Sequence, residues 1–312
     1  MLQFRRIDRP LDPSPPGDSP AAAAEAAIRA LRDARTQRAA ASGGLVRGLE
    51  ALDRRLRTST LERLDREDVS AERKLAIVKA LHTLNARLFS YHRFLGAIAP
   101  LVRRVNQEEG RPARVVELAA GYGELTLRAP ALARAKGLEL EITGTDIVPE
   151  YLERGRAEAR RRGVAASFEH LDAFRMDVEP GRFDIAVIAQ SMHHFSAGGL
   201  ATMISESRRV IRHGFVGVDG HRSLLLLWAV PFYALTLGAG ARVDFAHDAF
   251  ISGRRFWTES ELELLARVGA PDAEVSVRTS HPGYSVLTVD FAGGRVGRSG
   301  ATGSARTERS RP

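Results

Sequence analysis

From Arg114 onward, short apolar runs alternate with stretches of helical periodicity, and this alternation restricts the fold more than any other feature. The runs lie at 114–118, 139–145, 166–170, 184–189, 215–219, 274–279 and 285–291. Strands that alternate with helices pair in parallel, because each crossover helix returns the chain to the same end of the sheet. The last two runs are joined by a short turn and predict an antiparallel hairpin. We therefore predict an α/β fold with a Rossmann-like, seven-stranded, mostly parallel sheet.

The rest of the 312-residue chain divides by composition, and 44% apolar content is enough for a buried core. Residues 1–20 are rich in proline and polar groups, which predicts disorder. Residues 21–110 predict a helical N-terminal extension that acts as a lid. The main domain is expected at 111–291, with a substrate-side cap at 221–257. The tail at 292–312 is dominated by Gly, Ser and Arg and predicts disorder.

Two segments of the predicted lid and cap contain long apolar stretches. Ser70 can cap a long helix that continues through Leu88. Residues 223–240 form the most apolar run, but Pro231 and terminal glycines interrupt it, which favours a buried helix over a membrane span. Together these helices would roof a substrate pocket, which predicts either a lipophilic acceptor or the face of a homodimer.

The net charge of +8 does not belong to the predicted domain. Residues 1–114 hold 22 Lys and Arg against 14 Asp and Glu, whereas residues 115–291 hold 19 against 23. A groove that follows nucleic-acid phosphates is therefore disfavoured on the domain. The absence of cysteine excludes disulfides, thiolate metal sites and a cysteine nucleophile, and we predict no metal site. The N-terminus has no apolar signal region, so a cytoplasmic location is expected.

Four stretches carry residues suited to a nucleoside ligand. The first strand runs into a glycine turn at 119–123, and the second ends in Asp146, whose carboxylate can accept hydrogen bonds from both ribose hydroxyls. Asp172 follows the third strand and can accept from an adenine amino group. The fourth strand opens into polar residues at 190–194. Thr126 stands where a pyrophosphate-binding turn would have a third glycine, which disfavours a nicotinamide dinucleotide.

In this order and spacing, the four stretches resemble motifs I to IV of class I S-adenosylmethionine (SAM) dependent methyltransferases. The resemblance covers residues 111 to about 291. Within that superfamily the chain is most similar to small-molecule enzymes of quinone biosynthesis and to those associated with type III polyketide synthases. The sequence departs from the pattern at Ala119, where glycine is usual, and at Glu117, where aspartate is commoner.

The resemblance implies SAM as cofactor and assigns its contacts. The implied cofactor-binding residues are Glu117, Ala119, Gly121 and Gly123 at the methionine part, Asp146 and Ile147 at the ribose, Asp172 and Ala173 at the adenine, and Gln190 near the sulfonium. His193 and His194 follow the fourth strand, and two interpretations of them remain open. Either residue could act as a general base on a substrate hydroxyl, or the pair could serve hydrogen bonding and shape.

The expected function is methyl transfer to an oxygen, or alternatively a carbon, of a small aromatic or polyketide-like molecule. Two alternatives remain open at this stage. The basic N-terminal arm could serve an RNA methyltransferase, or the domain could bind SAM without catalysing a reaction.

Overall fold

The computed structural model describes residues 19–281 and 283–291. The disorder predicted for 292–312 lies outside these residues, as does that for 1–18. Ser19 and Pro20 depart from the prediction, because Pro20 begins the first helix and the Ser19 side chain accepts a hydrogen bond from the Ala22 amide. Proline suits this first position, since its missing N–H would have no partner inside the helix.

The chain alternates helices and strands after an all-helical beginning. The helices are α1 (Pro20–Ala40), α2 (Gly44–Leu56), α3 (Ala71–Arg87), α4 (Ser90–Glu109), α5 (Glu124–Arg134), α6 (Pro149–Arg162), α7 (Ala197–Val210), α8 (Leu224–Tyr233), α9 (Ala239–Arg255) and α10 (Glu259–Gly269). The strands are β1 (Ala113–Glu117), β2 (Leu140–Asp146), β3 (Ser167–His170), β4 (Ile185–Ala189), β5 (Gly214–Gly220), β6 (Glu274–Ser280) and β7 (Tyr284–Asp290).

All seven predicted strands are present, each with both ends within one residue of the prediction. Their order in the sheet is β3-β2-β1-β4-β5-β7-β6. The first five strands pair in parallel, and β7 is antiparallel to both β5 and β6. The predicted Rossmann-like fold with its C-terminal hairpin is thus confirmed.

Side chains that alternate along the strands pack against helices on both faces of the sheet. Val116 and Ile188 face one core, which includes residues of α1, α7 and α10. Val115 and Val187 face the other core, which includes residues of α4 and α5. Successive residues of a strand point to opposite faces of the sheet. The strands are continuous apolar runs in the sequence because both faces of the sheet are buried.

The predicted lid over 21–110 divides into two parts in the structure. Ile28 and Leu31 of α1 are buried in the same core as Val116 and Leu118, so α1 belongs to the packed domain. The helix predicted from Ser70 begins as expected but ends at Arg87, because Phe89 adopts a left-handed conformation with φ of 54° before α4. A lid role stays a prediction for the segment that surrounds α3.

The apolar run at 223–240 forms α8 and a short 3-10 turn, and the predicted burial is wrong for one of its faces. Leu227 is buried, but Leu225 is 71% exposed and Trp228 is 57% exposed. The main packing partner of α8 is α9, and the Trp228 ring contacts Phe250 of that helix while most of its surface stays exposed. No helix among the described residues combines the length and the hydropathy needed to cross a membrane.

Because α1 is part of the core, truncating its buried side chains should destabilise the whole domain. We expect Leu31→Ala to lower the free energy of unfolding by about 2–4 kcal/mol, since it leaves a cavity at a side chain that is 1% exposed. The same substitution at Leu45, which is 66% exposed in α2, should change it by less than about 0.5 kcal/mol. Urea titration followed by circular dichroism measures both, and equal effects would contradict the assignment of α1 to the core.

Candidate active site

The turn between β1 and α5 combines left-handed backbone with close packing. Ala119, Gly121 and Gly123 all have positive φ, at 49°, 56° and 72°. A Cβ on Gly123 would lie 2.2 Å from Cε1 of Phe168, so packing as well as conformation requires glycine there. A Cβ on Gly121 would meet no atom within 4 Å, so open space adjoins the turn. The φ of Ala119 explains why glycine is usual at this position of the pattern.

Asp146 ends β2 directly beside this turn. Its Oδ2 accepts a hydrogen bond from the Gly121 amide at 2.8 Å, and its Oδ1 accepts one from the Val148 amide at 3.0 Å. A carboxylate offers about four lone-pair positions, so two further donors can be accommodated. Ile147 next to it is 55% exposed. The arrangement presents a fixed carboxylate and an apolar surface side by side.

Asp172 and Ala173 follow β3, which is the outermost strand on this side of the sheet. Oδ1 of Asp172 accepts a hydrogen bond from the Phe174 amide at 2.8 Å, and Ala173 packs partly against the core. The parallel pairing of β2 with β3 brings these residues to the same edge as Asp146.

A cavity of about 480 Å³ begins at the glycine turn and extends beneath the helical cap. Of the predicted site residues, those that line it are Glu117, Ala119, Gly121, Gln190, His193 and His194. Those that do not line it are Gly123, Asp146, Ile147, Asp172 and Ala173. Its apolar wall includes Ile77, Val78, Leu81, Leu84, Leu88, Leu226, Ala229, Val230, Tyr233 and Phe245. Residues of α3 and α8 thus line one pocket, and their role as a roof over a substrate stays a prediction.

Glu117 is a buried carboxyl at the cofactor end of this cavity. Its Oε2 accepts hydrogen bonds from the Thr126 amide, at 2.9 Å, and from the Thr126 hydroxyl. Burial raises the pKa of Glu117 to about 7, and the charges of Asp146 and Glu124 add to this effect, while the bonds from Thr126 oppose it. The side chain therefore sits near its midpoint of ionisation at neutral pH and would be stabilised by a cationic ligand group.

Gln190 is held by α3. Its φ is 58°, and its side chain exchanges hydrogen bonds with the amide of Asn85 on α3. Asn85 is 1% exposed and also accepts a hydrogen bond from the Tyr284 hydroxyl at 3.2 Å. A left-handed conformation at a non-glycine residue persists where neighbouring residues hold it. Here the hydrogen bonds of Asn85 hold it, and they also join α3 to β7.

His193 lies between two carboxylates. Its Nδ1 is 2.9 Å from Oδ2 of Asp219, and its Nε2 is 3.2 Å from Oε1 of Glu62. Burial alone would lower the pKa of His193, but attraction to Asp219 and Glu62 outweighs burial and raises it to about 10. The two carboxylates thus stabilise a positive charge at this imidazole, which favours the hydrogen-bonding interpretation over a general base.

His194 is partly exposed and pairs with Asp65, which lies between α2 and α3. Its Nδ1 is 2.8 Å from Oδ2 of Asp65, and its ring lies 4.3 Å from the ring of His193. Both histidines are therefore engaged by carboxylates, which favours the hydrogen-bonding interpretation of the pair. A catalytic role for either stays a prediction.

Sequence reasoning missed the acidic partners of the histidines. Asp219 lies near the end of β5 at the same sheet edge as Asp146, and the strand-end rule that identified Asp146 could have found it. Glu62 and Asp65 lie in or beside a single 3-10 turn (Arg63–Asp65) without any recognisable motif. Nothing local marks them as site residues.

Comparison with known proteins agrees with this geometry. Residues 115–214 match a family described as "Methyltransferase domain". The chain is 30% identical over 149 residues to the demethylmenaquinone methyltransferase of Deinococcus radiodurans, which covers 46% of this chain and 56% of the relative. It is 29% identical over 147 residues to an uncharacterized protein of Mycobacterium tuberculosis, covering 45% and 51%. The chain thus spans about half the length of these curated relatives.

Solved structures are similar at lower identity. The PH0226 protein of Pyrococcus horikoshii OT3 is 19% identical, with 64% of this chain and 90% of that chain covered and a TM-score of 0.43. The plantazolicin methyltransferase BamL, solved with a triazolic desmethylPZN analog and SAH, is 13% identical, with 69% of this chain and 90% of that chain covered and a TM-score of 0.48. Residues 115–214 thus match a methyltransferase domain, and the matched region includes the turn that joins β1 to α5.

Proposed function

We propose that this protein transfers the methyl group of SAM to an oxygen, or alternatively a carbon, of a small lipophilic acceptor, aromatic or polyketide-like in character. The observation that carries the proposal is the continuity of the cavity, which joins the glycine turn and Glu117 to a wall of aliphatic side chains. A ligand bound along it would have a polar, cationic end at β1 and an apolar neighbour under the cap. Demethylmenaquinone, named for the relative from Deinococcus radiodurans, is a molecule of this lipophilic class.

The residues at the sheet edge fit the parts of SAM. Asp146 would accept the ribose hydroxyls, Ile147 would cover an apolar face beside them, and Asp172 with Ala173 would meet the adenine. Glu117 would pair with the ammonium group, because a buried carboxyl without a cationic partner among the described residues gains most from one. Gln190 would lie near the sulfonium, which supplies an activated methyl group when SAM is bound.

The remaining task of the protein is alignment. Methyl transfer from a sulfonium is accelerated mainly by placing the acceptor atom in line with the methyl carbon and sulfur. The cap would do this by excluding water and filling the space around an apolar acceptor. His193, held between Asp219 and Glu62, would contribute shape at the far polar end.

Loss of the Asp146 carboxylate should weaken cofactor binding. We expect Asp146→Ala to raise the Kd for S-adenosylhomocysteine by at least about tenfold, since hydrogen bonds to a charged group contribute about 1.5–3 kcal/mol. Isothermal calorimetry measures this, with Asp33→Ala on the exposed surface of α1 as the matched control. A thermal melt checks that the turn survives loss of the Gly121 contact. A parent-like Kd for Asp146→Ala would contradict the proposed cofactor site.

The raised pKa of Glu117 predicts a pH dependence of cofactor affinity. A cationic ammonium group favours the carboxylate, so binding below pH 7 must release the proton that Glu117 holds. Affinity for S-adenosylhomocysteine should be constant above pH 7.5 and fall by up to about tenfold per pH unit below 7. Glu117→Gln should remove most of this slope, whereas Glu139→Gln on the surface should keep it.

The same pKa shift gives a second readout without ligand. The folded state binds this proton more tightly than the unfolded chain, whose reference pKa is 4.5. The stability contributed by the protonated carboxyl is therefore full below pH 4.5 and is lost as pH rises through 7. The melting temperature of the parent, compared with that of Glu117→Gln, should decrease over this range. Parallel pH profiles for the two proteins would argue against a buried, titrating Glu117.

The acceptor class is tested by incubating the protein with methyl-labelled SAM and fractionated cell extract. We expect label in molecules that partition into organic solvent. Label confined to RNA or protein would reject the proposed acceptor, and tight SAM binding without any transfer would indicate a noncatalytic module.

A further inference from the structure

The polar end of the cavity brings together two imidazoles and a carboxylate in a way that the proposed methyl transfer does not require. Nε2 of His193 lies 3.2 Å from Oε1 of Glu62, and Nε2 of His194 lies 3.9 Å from Oε2 of the same residue. The ligand atoms of these three residues all lie within 4.8 Å of one another. Two atoms bound to one ion at about 2.0–2.2 Å and a near-tetrahedral angle lie about 3.3–3.6 Å apart, and the two distances to Glu62 lie just below and just above this range.

Both imidazoles are oriented as metal-binding histidines are. Nδ1 of His193 faces Asp219 at 2.9 Å, and Nδ1 of His194 faces Asp65 at 2.8 Å. A carboxylate on Nδ1 places the proton there and turns the lone pair of Nε2 toward a metal, which is the common outer-shell arrangement of such sites. Here both Nε2 atoms converge on Glu62.

Nε2 of His193 is the second, independent observation. It is completely buried, and although Glu62 is close, Nε2 makes no hydrogen bond of ordinary geometry with any described residue. A buried nitrogen in this situation is costly unless a ligand satisfies it. It faces Glu62, and all three residues of the cluster line the cavity.

The charges of the cluster also favour a cation. Glu62, Asp65 and Asp219 surround the two imidazoles, while the Arg255 guanidinium, 3.7 Å from Asp65, offsets one negative charge. Glu62 is itself built in, because its Oε1 accepts a hydrogen bond from Ser252 at 2.8 Å and it is 4% exposed. The acidic group therefore cannot leave without breaking contacts of the cap.

A second group of similar composition shows the contrast. Glu109, Asp184 and His213 also lie close enough together to hold an ion. There, however, Arg111 and Arg114 both pair with Asp184, and Arg212 pairs with Glu109. Three guanidinium groups already neutralise two carboxylates, so this second group has no demand for a cation.

We propose that Glu62, His193 and His194 bind one divalent first-row transition-metal ion, such as Zn²⁺ or Co²⁺. Two imidazole nitrogens with one carboxylate oxygen suit these ions, whereas Mg²⁺ and Ca²⁺ prefer oxygen ligands throughout. Three protein ligands leave at least one coordination position open, and all three residues line the cavity. If the proposed methyltransferase function holds, an oxygen of the acceptor would occupy that position. This assignment departs from the sequence, which predicts no metal site.

The test uses tag-free, full-length protein stripped with a chelator and then titrated with Co²⁺. We expect one ion per chain, with the visible absorption bands of four- or five-coordinate cobalt, and displacement by Zn²⁺ measured by calorimetry. Glu62→Gln and His194→Ala should each weaken binding by more than about tenfold, since loss of even an outer-shell partner costs about 10- to 100-fold. His213→Ala, in the arginine-neutralised group, should bind like the parent.

The outcomes separate this site from the cofactor site. Calorimetry with S-adenosylhomocysteine is run on every variant, so that loss of cobalt bands with retained cofactor binding supports the metal site alone. Absence of cobalt bands in the parent would mean that protonated His193 pairs directly with Glu62, and would overturn the proposal. Binding that survives both Glu62→Gln and His194→Ala, or that is lost in His213→Ala, would overturn it as well. Should one variant unfold, the other decides.

Discussion

Parallel pairing of β1 with β2 on one side and with β4 on the other is the constraint on which the candidate site depends. It aligns the strand ends, so that the Ala120 amide reaches Thr145 at 2.9 Å and the Gly121 amide reaches Asp146 at 2.8 Å. From β1 the sheet continues through β2 to β3, whereas from β4 it continues in the opposite direction to β5. This reversal leaves a crevice between β1 and β4 at the carboxyl ends of the strands. A shift of register would separate the turn from its carboxylate, because the two are joined through backbone amides.

Both ends of the cavity carry buried carboxylates that a cation would stabilise. Among the described residues, the buried Glu117 carboxyl accepts hydrogen bonds from the neutral amide and hydroxyl of Thr126. A cationic group of a ligand would therefore stabilise its charged form. His193 is buried between Asp219 and Glu62, and the two negative charges of these carboxylates exceed the single positive charge that one imidazole can carry. Burial strengthens both effects, because charges in a low-dielectric interior interact more strongly than in water.

The cap owes its position to ion pairs between segments remote in the chain. Asp248 of α9 accepts hydrogen bonds from the amides of Arg63 and Leu64, and Asp244 pairs with Arg63 and Arg73. These contacts fix the 3-10 turn against α9 and thereby place Glu62 beside His193. The wall of the cavity around Glu62 is consequently built by residues before the sheet and by residues after β5.

The sequence by itself determined the sheet and the meeting of the strand-end carboxylates at one of its edges. Apolar runs with two buried faces mark strands within one residue, and carboxylates at the ends of parallel strands meet at one edge because backbone pairing requires it. Only the tertiary structure decided that α1 is core, that α8 has an exposed face, that Gln190 contacts Asn85, and that Asp65 reaches His194, 129 positions away. Local patterns report backbone preference and the periodicity of burial. They do not show which side chains from distant segments come into contact, since that depends on how segments that are far apart in the chain pack against each other.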